Sequence, residues 1–243
     1  IPNMNTNDNG ISGKVAEYNG LLYMIYENDN GKKYLAEYNG NNLSIKPNLN
    51  ISDYGIEGNP FEYNGNLYFP YKNTSEKIQL AKYNGTTISL VNNLNNNDYG
   101  CIWSPMIYNN KLFFGYRDNT NHNYLANYDG SILNIIPNPD TTMFSGFQYN
   151  LKVFKNKLYF CYNRHDANCS YHCDQLILTE YDGNIFKTID YTTYSFWGEI
   201  IYDSCLLFGT DSHSANWGNS YYLQKYDGNT SSYVDLGGSS YYN

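Results

Sequence analysis

Aspartate-containing triplets recur at a fixed spacing in this sequence. Each has an aspartate two residues before a glycine, and successive copies lie 45 residues apart: Asp8-Asn9-Gly10, Asp53-Tyr54-Gly55 and Asp98-Tyr99-Gly100. The pattern is typical of a tight turn, in which the carboxylate accepts hydrogen bonds from nearby backbone N–H groups. A rigid turn is also a suitable place for a carboxylate that binds the hydroxyl groups of a ligand. The candidate binding residues in these turns are Asp8, Asp53, Tyr54, Asp98 and Tyr99.

One position shortly after these turns carries a large aromatic side chain in three of its copies: Gly13, Gly58, Trp103, Tyr149 and Trp197. A flat aromatic face can pack against the apolar side of a ring-shaped ligand, whereas the alternative is that these side chains fill a central channel. Other polar and aromatic residues on the same side of the predicted elements complete the candidate ligand contacts: Asn59, Arg117, Asn150 and Trp217.

The segment 164–174 contains two histidines, two cysteines and two aspartates, which is a set of zinc-binding residue types. Its spacing matches no established zinc motif, so the metal candidates are weak: His165, Cys169, His172 and Cys173. A disulfide between Cys169 and Cys173 is the favoured interpretation. The total of five cysteines is odd, which leaves at least one thiol without a partner in the chain. No cofactor is predicted.

The composition narrows the classes of partner. The chain of 243 residues has 15 Lys and Arg against 23 Asp and Glu, a net charge of -8. An acidic surface repels nucleic-acid phosphates and anionic lipids, and the sequence has no apolar run long enough for a membrane helix. We therefore predict neither nucleic-acid binding nor membrane insertion. The absence of an initial Met and the favoured disulfide suggest a processed chain that is secreted or displayed at the cell surface.

Five repeats position these candidates. An aromatic residue before a turn-forming pair returns at steps of 45, 45, 46 and 48 residues: Tyr18, Tyr63, Tyr108, Phe154 and Tyr202. A second marker, Tyr followed by Asn-Gly or Asp-Gly, lies 20 to 27 residues after each: Tyr38, Tyr83, Tyr128, Tyr181 and Tyr226. The predicted repeats span 11–47, 56–92, 101–137, 147–190 and 196–237 of one domain, 1–243.

Each repeat is predicted to contain four antiparallel strands, named A to D in chain order. Both markers suit two-residue type I′ turns, which require positive φ at both central residues. The apolar patterns have strand periodicity, and no segment has a sustained helical period. Four-stranded sheets with this repeat length bury both faces when they pack in a ring, so we predict an all-β, five-bladed β-propeller. The recurring inter-blade core residues are Leu35, Leu80, Leu125, Leu178 and Leu223.

The motif Asn-Gly-x-Leu-Tyr-Phe followed by Leu-Ala-x-Tyr-Asn-Gly resembles propeller repeats in general and kelch-like repeats loosely. Five repeats of about 47 residues in one small chain resemble most the five-bladed tachylectin-type lectins. This resemblance implies a non-catalytic, multivalent sugar-binding protein whose partner is a glycan or glycoprotein. The kelch double-glycine signature is absent, and no lectin site residue can be transferred individually.

Topology places the predicted site. If short turns join A to B and C to D, then the B–C and D–A connections lie together at the opposite end of the strands, and we predict that ligand binds there. A protein-docking or adhesin module is the alternative function. A glycosidase is a minority alternative because it needs two carboxylates across a pocket, and nothing distinguishes a pair among Asp53, Glu57, Asp98 and Glu199.

Overall fold

The computed structural model describes residues 5–138, 146–147, 151–165, 174–192, 196–214 and 218–234. These residues form twenty-two β-strands and no helix, which confirms the predicted all-β class. Consequently, the described part of the chain contains no helix that could span a membrane. The chain divides into two compact units, Ile1–Pro137 and Asn138–Asn243. The single-domain, five-bladed ring stays a prediction.

The first unit contains repeats one to three. The strands of repeat one are β1 Gly10–Tyr18, β2 Leu21–Glu27, β3 Lys33–Tyr38 and β4 Leu43–Lys46. Those of repeat two are β5 Gly55–Ile56, β6 Phe61–Tyr63, β7 Asn66–Lys72, β8 Ile78–Tyr83 and β9 Ile88–Leu90. Those of repeat three are β10 Gly100–Tyr108, β11 Lys111–Arg117, β12 Asn123–Tyr128 and β13 Leu133–Ile136. Strand A of repeat two is therefore interrupted, as β5 and β6.

The second unit contains repeats four and five. Repeat four has β14 Gly146–Phe147, β15 Lys152–Phe154, β16 Lys157–His165, β17 Asp174–Tyr181 and β18 Phe186–Thr192. Repeat five has β19 Phe196–Tyr202, β20 Cys205–Ser214, β21 Gly218–Tyr226 and β22 Ser231–Tyr233.

Strands within every repeat pair antiparallel with their neighbours in chain order, as predicted. Two single-residue parallel bridges, Lys33 with Gly55 and Ile78 with Gly100, join repeats one to three into one continuous sheet. The described strands thus form three sheets of thirteen, five and four strands.

The A–B turns have the predicted type I′ geometry. Both central residues have positive φ in each repeat, for example 51° at Asn19 with 73° at Gly20, and 46° at Asp203 with 61° at Ser204. Asparagine and glycine tolerate this left-handed backbone best, which explains the Asn-Gly pairs in the first two repeats.

The C–D connections differ from the prediction of a two-residue type I′ turn. Tyr38 pairs with Leu43, so the loop contains the four residues 39–42, and only Gly40 has positive φ. The reason is the preceding side chain, because Asn39 Oδ1 accepts hydrogen bonds from the backbone of Asn41 at 3.0 Å and Asn42 at 2.8 Å. A side chain that caps its own loop favours this longer turn. Equivalent caps occur at Asn84, Asp129, Asp182 and Asp227.

The core contains most of the predicted leucines. Leu35, Leu80, Leu125 and Leu178 are at most 2% exposed, whereas Leu223 is half-buried. Tyrosines from neighbouring repeats pack beside them, as in the cluster of Tyr18, Tyr23 and Tyr83 with ring centroids 5.7–6.5 Å apart. These aromatic side chains contribute much of the packing between repeats in the described residues.

Candidate ligand-binding face

The B–C and D–A connections of the first unit lie together at the end of the strands opposite the A–B and C–D turns. The B–C connections are residues 28–32, 73–77 and 118–122, and the D–A connections between repeats are 47–54 and 91–99. With the leading segment 5–9, we call these residues the loop face.

The repeated aspartates form one structural device, the Asp–Tyr clamp. Asp53 Oδ2 accepts hydrogen bonds from the Tyr71 hydroxyl at 2.9 Å and from the Asn50 N–H at 3.2 Å, while its Oδ1 accepts one from the Thr74 N–H at 3.2 Å. The clamp therefore ties strand B, the D–A turn and the B–C loop to one carboxylate. Its other copies pair Tyr116 with Asp98 at 2.6 Å and Tyr26 with Asp8 at 2.6 Å.

Burial makes the second and third clamps rigid. Asp53 is 2% exposed and Asp98 is 4% exposed, and the two carboxylates accept equivalent sets of hydrogen bonds. Burial, assisted by the adjacent carboxylate, raises the pKa of both Tyr71 and Tyr116, so these phenols remain protonated donors. This arrangement matches the turn-forming role considered from sequence. Direct binding of a ligand by the aspartates stays a prediction.

The B–C loops contain a second repeated cap that the sequence patterns above did not identify. Asn28 Oδ1 and Asn73 Oδ1 each accept two backbone hydrogen bonds, and Asp118 Oδ1 accepts the same pair from Thr120 and His122 at 2.8 and 2.9 Å. Burial alone would raise the pKa of Asp118, but these donors hold it below its usual value. The 45-residue spacing of Asn28, Asn73 and Asp118 was the sequence signal for this cap.

Two tyrosines project from the clamped turns. Tyr54 is 43% exposed and Tyr99 is 45% exposed, although each lies between a buried aspartate and a buried glycine. Strand pairing places Gly55 opposite Lys72, and the Lys72 ammonium lies 4.8 Å from the Tyr54 ring centroid. The equivalent strand pairing places Gly100 opposite Arg117. Arg117 Nε also donates to Asn123 Oδ1 at 2.8 Å.

The glycines of these turns are required by close backbone approach. A Cβ on Gly55 would lie 1.7 Å from the Lys33 carbonyl oxygen, and one on Gly100 would lie 2.0 Å from that of Ile78. Both glycines also have φ near +90°. The turn is thereby pressed against the preceding repeat, which fixes the direction of the neighbouring tyrosine.

Asn59 connects the A segments of repeats one and two. Its Oδ1 accepts a hydrogen bond from the Lys14 N–H at 2.7 Å and lies where a Cβ on Gly13 would be, at 2.4 Å. Asn59 is half-buried, and its side-chain oxygen is already held by the protein.

Several predicted site residues lie beyond what the structure describes. For Trp103 in β10, Trp197 in β19 and His165 in β16 it describes the backbone but not the side chain. The remaining predictions fall outside the described residues: Tyr149, Asn150, Trp217, Cys169, His172 and Cys173. Zinc and disulfide formation in this segment thus stay predictions. Within the described ranges, no three His, Cys, Asp or Glu residues group together as metal ligands would.

The carboxylates considered for a glycosidase have protein partners where the structure describes them. Asp53 and Asp98 belong to the clamps, and Glu57 Oε2 lies 3.3 Å from Lys33 Nζ in an ion pair. The side chain of Glu199 is not described. No second carboxylate faces Glu57 among the described interactions.

Comparisons with known proteins give weak similarities. No family model matches, and neither does any curated protein. One similar solved structure is an Aleuria aurantia lectin mutant with α-methyl-L-fucoside, at 10% identity and a TM-score of 0.44, over 95% of this chain and 79% of the lectin.

Two glycoside hydrolases give similar values. A Bombyx mori family 32 β-fructofuranosidase mutant with sucrose has 11% identity and a TM-score of 0.43, over 95% of this chain and 63% of the enzyme. A Clostridium thermocellum family 43 α-L-arabinofuranosidase has 13% identity and a TM-score of 0.41, over 90% and 92%. The chain thus spans less than two thirds of the Bombyx mori enzyme. Such similarities do not bear on function, which is inferred from the geometry of this chain.

Proposed function

We propose that this chain is a five-bladed β-propeller that binds carbohydrate without catalysis through its loop face. The observation that carries the proposal is the pair of exposed tyrosines, Tyr54 and Tyr99, held at equivalent positions by buried Asp–Tyr clamps. Exposed aromatic side chains on rigid turns give contact area at little cost in conformational entropy. Loop residues positioned in this way by a rigid scaffold are suited to a binding role.

The chemistry around the two tyrosines suits a sugar. The phenol ring packs against the C–H face of a pyranose, while Lys72 and Arg117 donate hydrogen bonds to its hydroxyl groups. In this proposal Trp103 and Asn59 add to the binding residues of the first unit, and Trp197 is a separate candidate in the second unit. Because the arrangement repeats, several weak sites gain avidity on a glycan-bearing surface outside the cell.

Non-catalytic binding is favoured over glycoside hydrolysis by the state of the carboxylates. Hydrolysis requires one carboxyl group as acid and a second as nucleophile or base, both reaching the scissile bond. Asp53 and Asp98 instead accept hydrogen bonds within the clamps, and Glu57 pairs with Lys33. These groups have structural partners that a reacting carboxylate would have to leave.

A protein-docking or adhesin module is the second candidate. The specific observation in its favour is the exposure of Tyr54 and Tyr99, because tyrosine is enriched at protein interfaces and among the residues that contribute most to binding. The two functions differ in the partner that is bound and share the loop face.

A glycan array with the purified chain tests the proposal. We expect binding to at least one sugar class, lost in the double variant Tyr54→Ala/Tyr99→Ala and kept in the control Tyr202→Ala. Tyr202 is also exposed, at 67%, but ends β19 beside an A–B turn. No sugar bound, together with a protein partner that needs Tyr54 and Tyr99, would replace the proposal by docking. Release of reducing sugar from a bound glycan would replace it by catalysis.

A further inference from the structure

A carboxylate lies between neighbouring repeats near the C–D turns, half-buried in repeat one and buried in repeat four. In repeat one, Glu37 on β3 accepts hydrogen bonds from the Tyr23 hydroxyl at 2.7 Å and the Ser44 hydroxyl at 3.4 Å, and pairs with Lys46 at 2.8 Å. Tyr83 of repeat two packs against Tyr23 on the other side. Burial would raise the pKa of Glu37, but Lys46 and Tyr23 hold it below its usual value.

Repeat four has a carboxylate at the same strand C position, with its lysine on strand B instead of strand D. Glu180 accepts hydrogen bonds from the hydroxyl groups of Tyr159 at 2.7 Å and Tyr226 at 3.3 Å, and pairs with Lys157. This position in strand C is therefore one where the fold holds a carboxylate and an ammonium together among tyrosines.

Repeat two has the opposite charge at this position. Counting 45 residues onward replaces Glu37 by Lys82 and Lys46 by Val91, while Ser44 and Tyr83 become Ser89 and Tyr128. The strand register is the same, since Lys82 pairs with Tyr68 as Glu37 pairs with Tyr23. Among the described residues Lys82 has no ion-pair partner.

An open cleft of about 290 Å³ occupies this place. Its lining includes the two substituted positions, the two unchanged ones and two further polar residues: Lys82, Val91, Ser89, Tyr128, Asn92 and Ser131. Valine is shorter than lysine, so the space that the Lys46 side chain fills in repeat one is left empty in repeat two. The volume is near the lower end of that of ligand pockets, which suits a monosaccharide-sized molecule.

We propose that this cleft binds the carboxylate of a small hydroxylated acid, namely an acidic monosaccharide. In repeat one the protein supplies both charges of the ion pair. In repeat two it supplies only the cation, Lys82, and the ligand supplies the anion. Asn92, Ser89 and Ser131 provide hydrogen-bond donors and acceptors for hydroxyl groups. One ammonium with no second cation among the lining residues matches a singly charged carboxylate better than a doubly charged phosphate.

The site is separate from the loop face. Lys82 and Ser131 lie beside the C–D turns, at the opposite end of the strands from Tyr54 and Tyr99. The two sites can therefore fail independently, and a variant of one serves as a control for the other.

Titration of the full chain with D-glucuronate, followed by NMR, tests the proposal, with D-glucose and acetate as reference ligands. We expect glucuronate to bind most tightly, because glucose lacks the charge and acetate lacks the hydroxyl groups. Lys82→Gln should weaken glucuronate binding roughly tenfold through loss of the charged hydrogen bonds. The exposed control Lys187→Gln and the loop-face variant Tyr54→Ala/Tyr99→Ala should bind as the unmodified chain does.

A double variant guards against misfolding. Lys82→Glu/Val91→Lys rebuilds the Glu37–Lys46 pair in repeat two, so we expect an unchanged melting temperature and no glucuronate binding. Equal affinity for glucose and glucuronate, unchanged affinity in Lys82→Gln, or glucuronate binding by the folded double variant would each overturn the proposal. Loss of binding only in the loop-face variant would do the same and would assign the sugar to the loop face.

Discussion

The hydroxyl group of Tyr116 donates a 2.6 Å hydrogen bond to Asp98, a carboxylate that is 4% exposed. The two residues are 18 positions apart, and the same separation joins Tyr71 to Asp53 and Tyr26 to Asp8. A hydrogen bond of this kind connects a strand end to the turn that follows the preceding repeat. In repeats one to three, the clamp is thus the contact that fixes the loop face.

The buried clamp predicts that Asp98→Ala lowers the free energy of unfolding by about 2–4 kcal/mol, because it leaves the N–H groups of Asn95 and Asn119 without their acceptor. Urea unfolding followed by tyrosine fluorescence measures the loss. Asp8→Ala should cost less, because Asp8 is half-buried. A loss below about 0.5 kcal/mol for Asp98→Ala would contradict the clamp.

The close approach at Gly100 predicts a sharp difference between two glycines. Gly100→Ala should cost about 3 kcal/mol or more, since its Cβ would meet the Ile78 carbonyl oxygen at 2.0 Å and its φ is +90°. Gly31→Ala also has positive φ, at +72°, but faces open space, so about 1 kcal/mol is expected. Thermal unfolding of the two variants compares them, and similar losses would exclude the backbone contact as the cause.

The two turn markers show how far the sequence could predict this fold. Tyr63-Asn64-Gly65 and Tyr83-Asn84-Gly85 read alike, yet Asn64 has φ of 47° and Asn84 caps a four-residue loop. Local residue type specified that a turn occurs in both places. It did not specify the length, because Tyr63 pairs with Asn66 across one turn and Tyr83 pairs with Ile88 across the other.

The candidate site was also predictable only in part. The 45-residue spacing located the Asp-x-Gly turns and the exposed tyrosines, because equivalent positions in a repeat have equivalent surroundings. The spacing could not show that Asp53 accepts a hydrogen bond from Tyr71, because strand register decides which tyrosine reaches the aspartate. Nor could it locate the cleft beside Lys82, which results from the loss of a lysine side chain at Val91.

Substituting glycine for the turn asparagine tests the difference between the A–B and C–D turns. Asn84→Gly should lower the free energy of unfolding by about 1 kcal/mol through loss of the cap. Asn64→Gly should change it by only a few tenths, because glycine adopts the positive φ at that position without strain. Urea unfolding of both variants gives the comparison. Equal effects would show that the two markers act alike.

Glu180 should make the stability of the fold depend on pH. Burial would raise its pKa, but the hydrogen bonds from Lys157 and Tyr159 lower it below the ordinary glutamate value. A lowered folded-state pKa contributes stability that is present above the unfolded-state pKa and is lost as pH falls through the folded-state value. Glu180→Gln should therefore destabilise the chain at pH 7, and the difference should shrink progressively below about pH 4.5. A pH-independent difference in melting temperature would contradict this interpretation.

The last prediction concerns sugar binding at Trp103 and Trp197. Trp103 and Trp197 lie on the A strands β10 and β19, at copies of the position that is glycine in repeats one and two. If sugar packs on their indole rings, Trp103→Ala or Trp197→Ala should weaken binding by about 1–3 kcal/mol. Calorimetry with the sugar identified on the array measures this, and circular dichroism verifies that the fold is kept. If the rings only fill a channel, both variants will instead lose stability and keep their affinity per folded molecule.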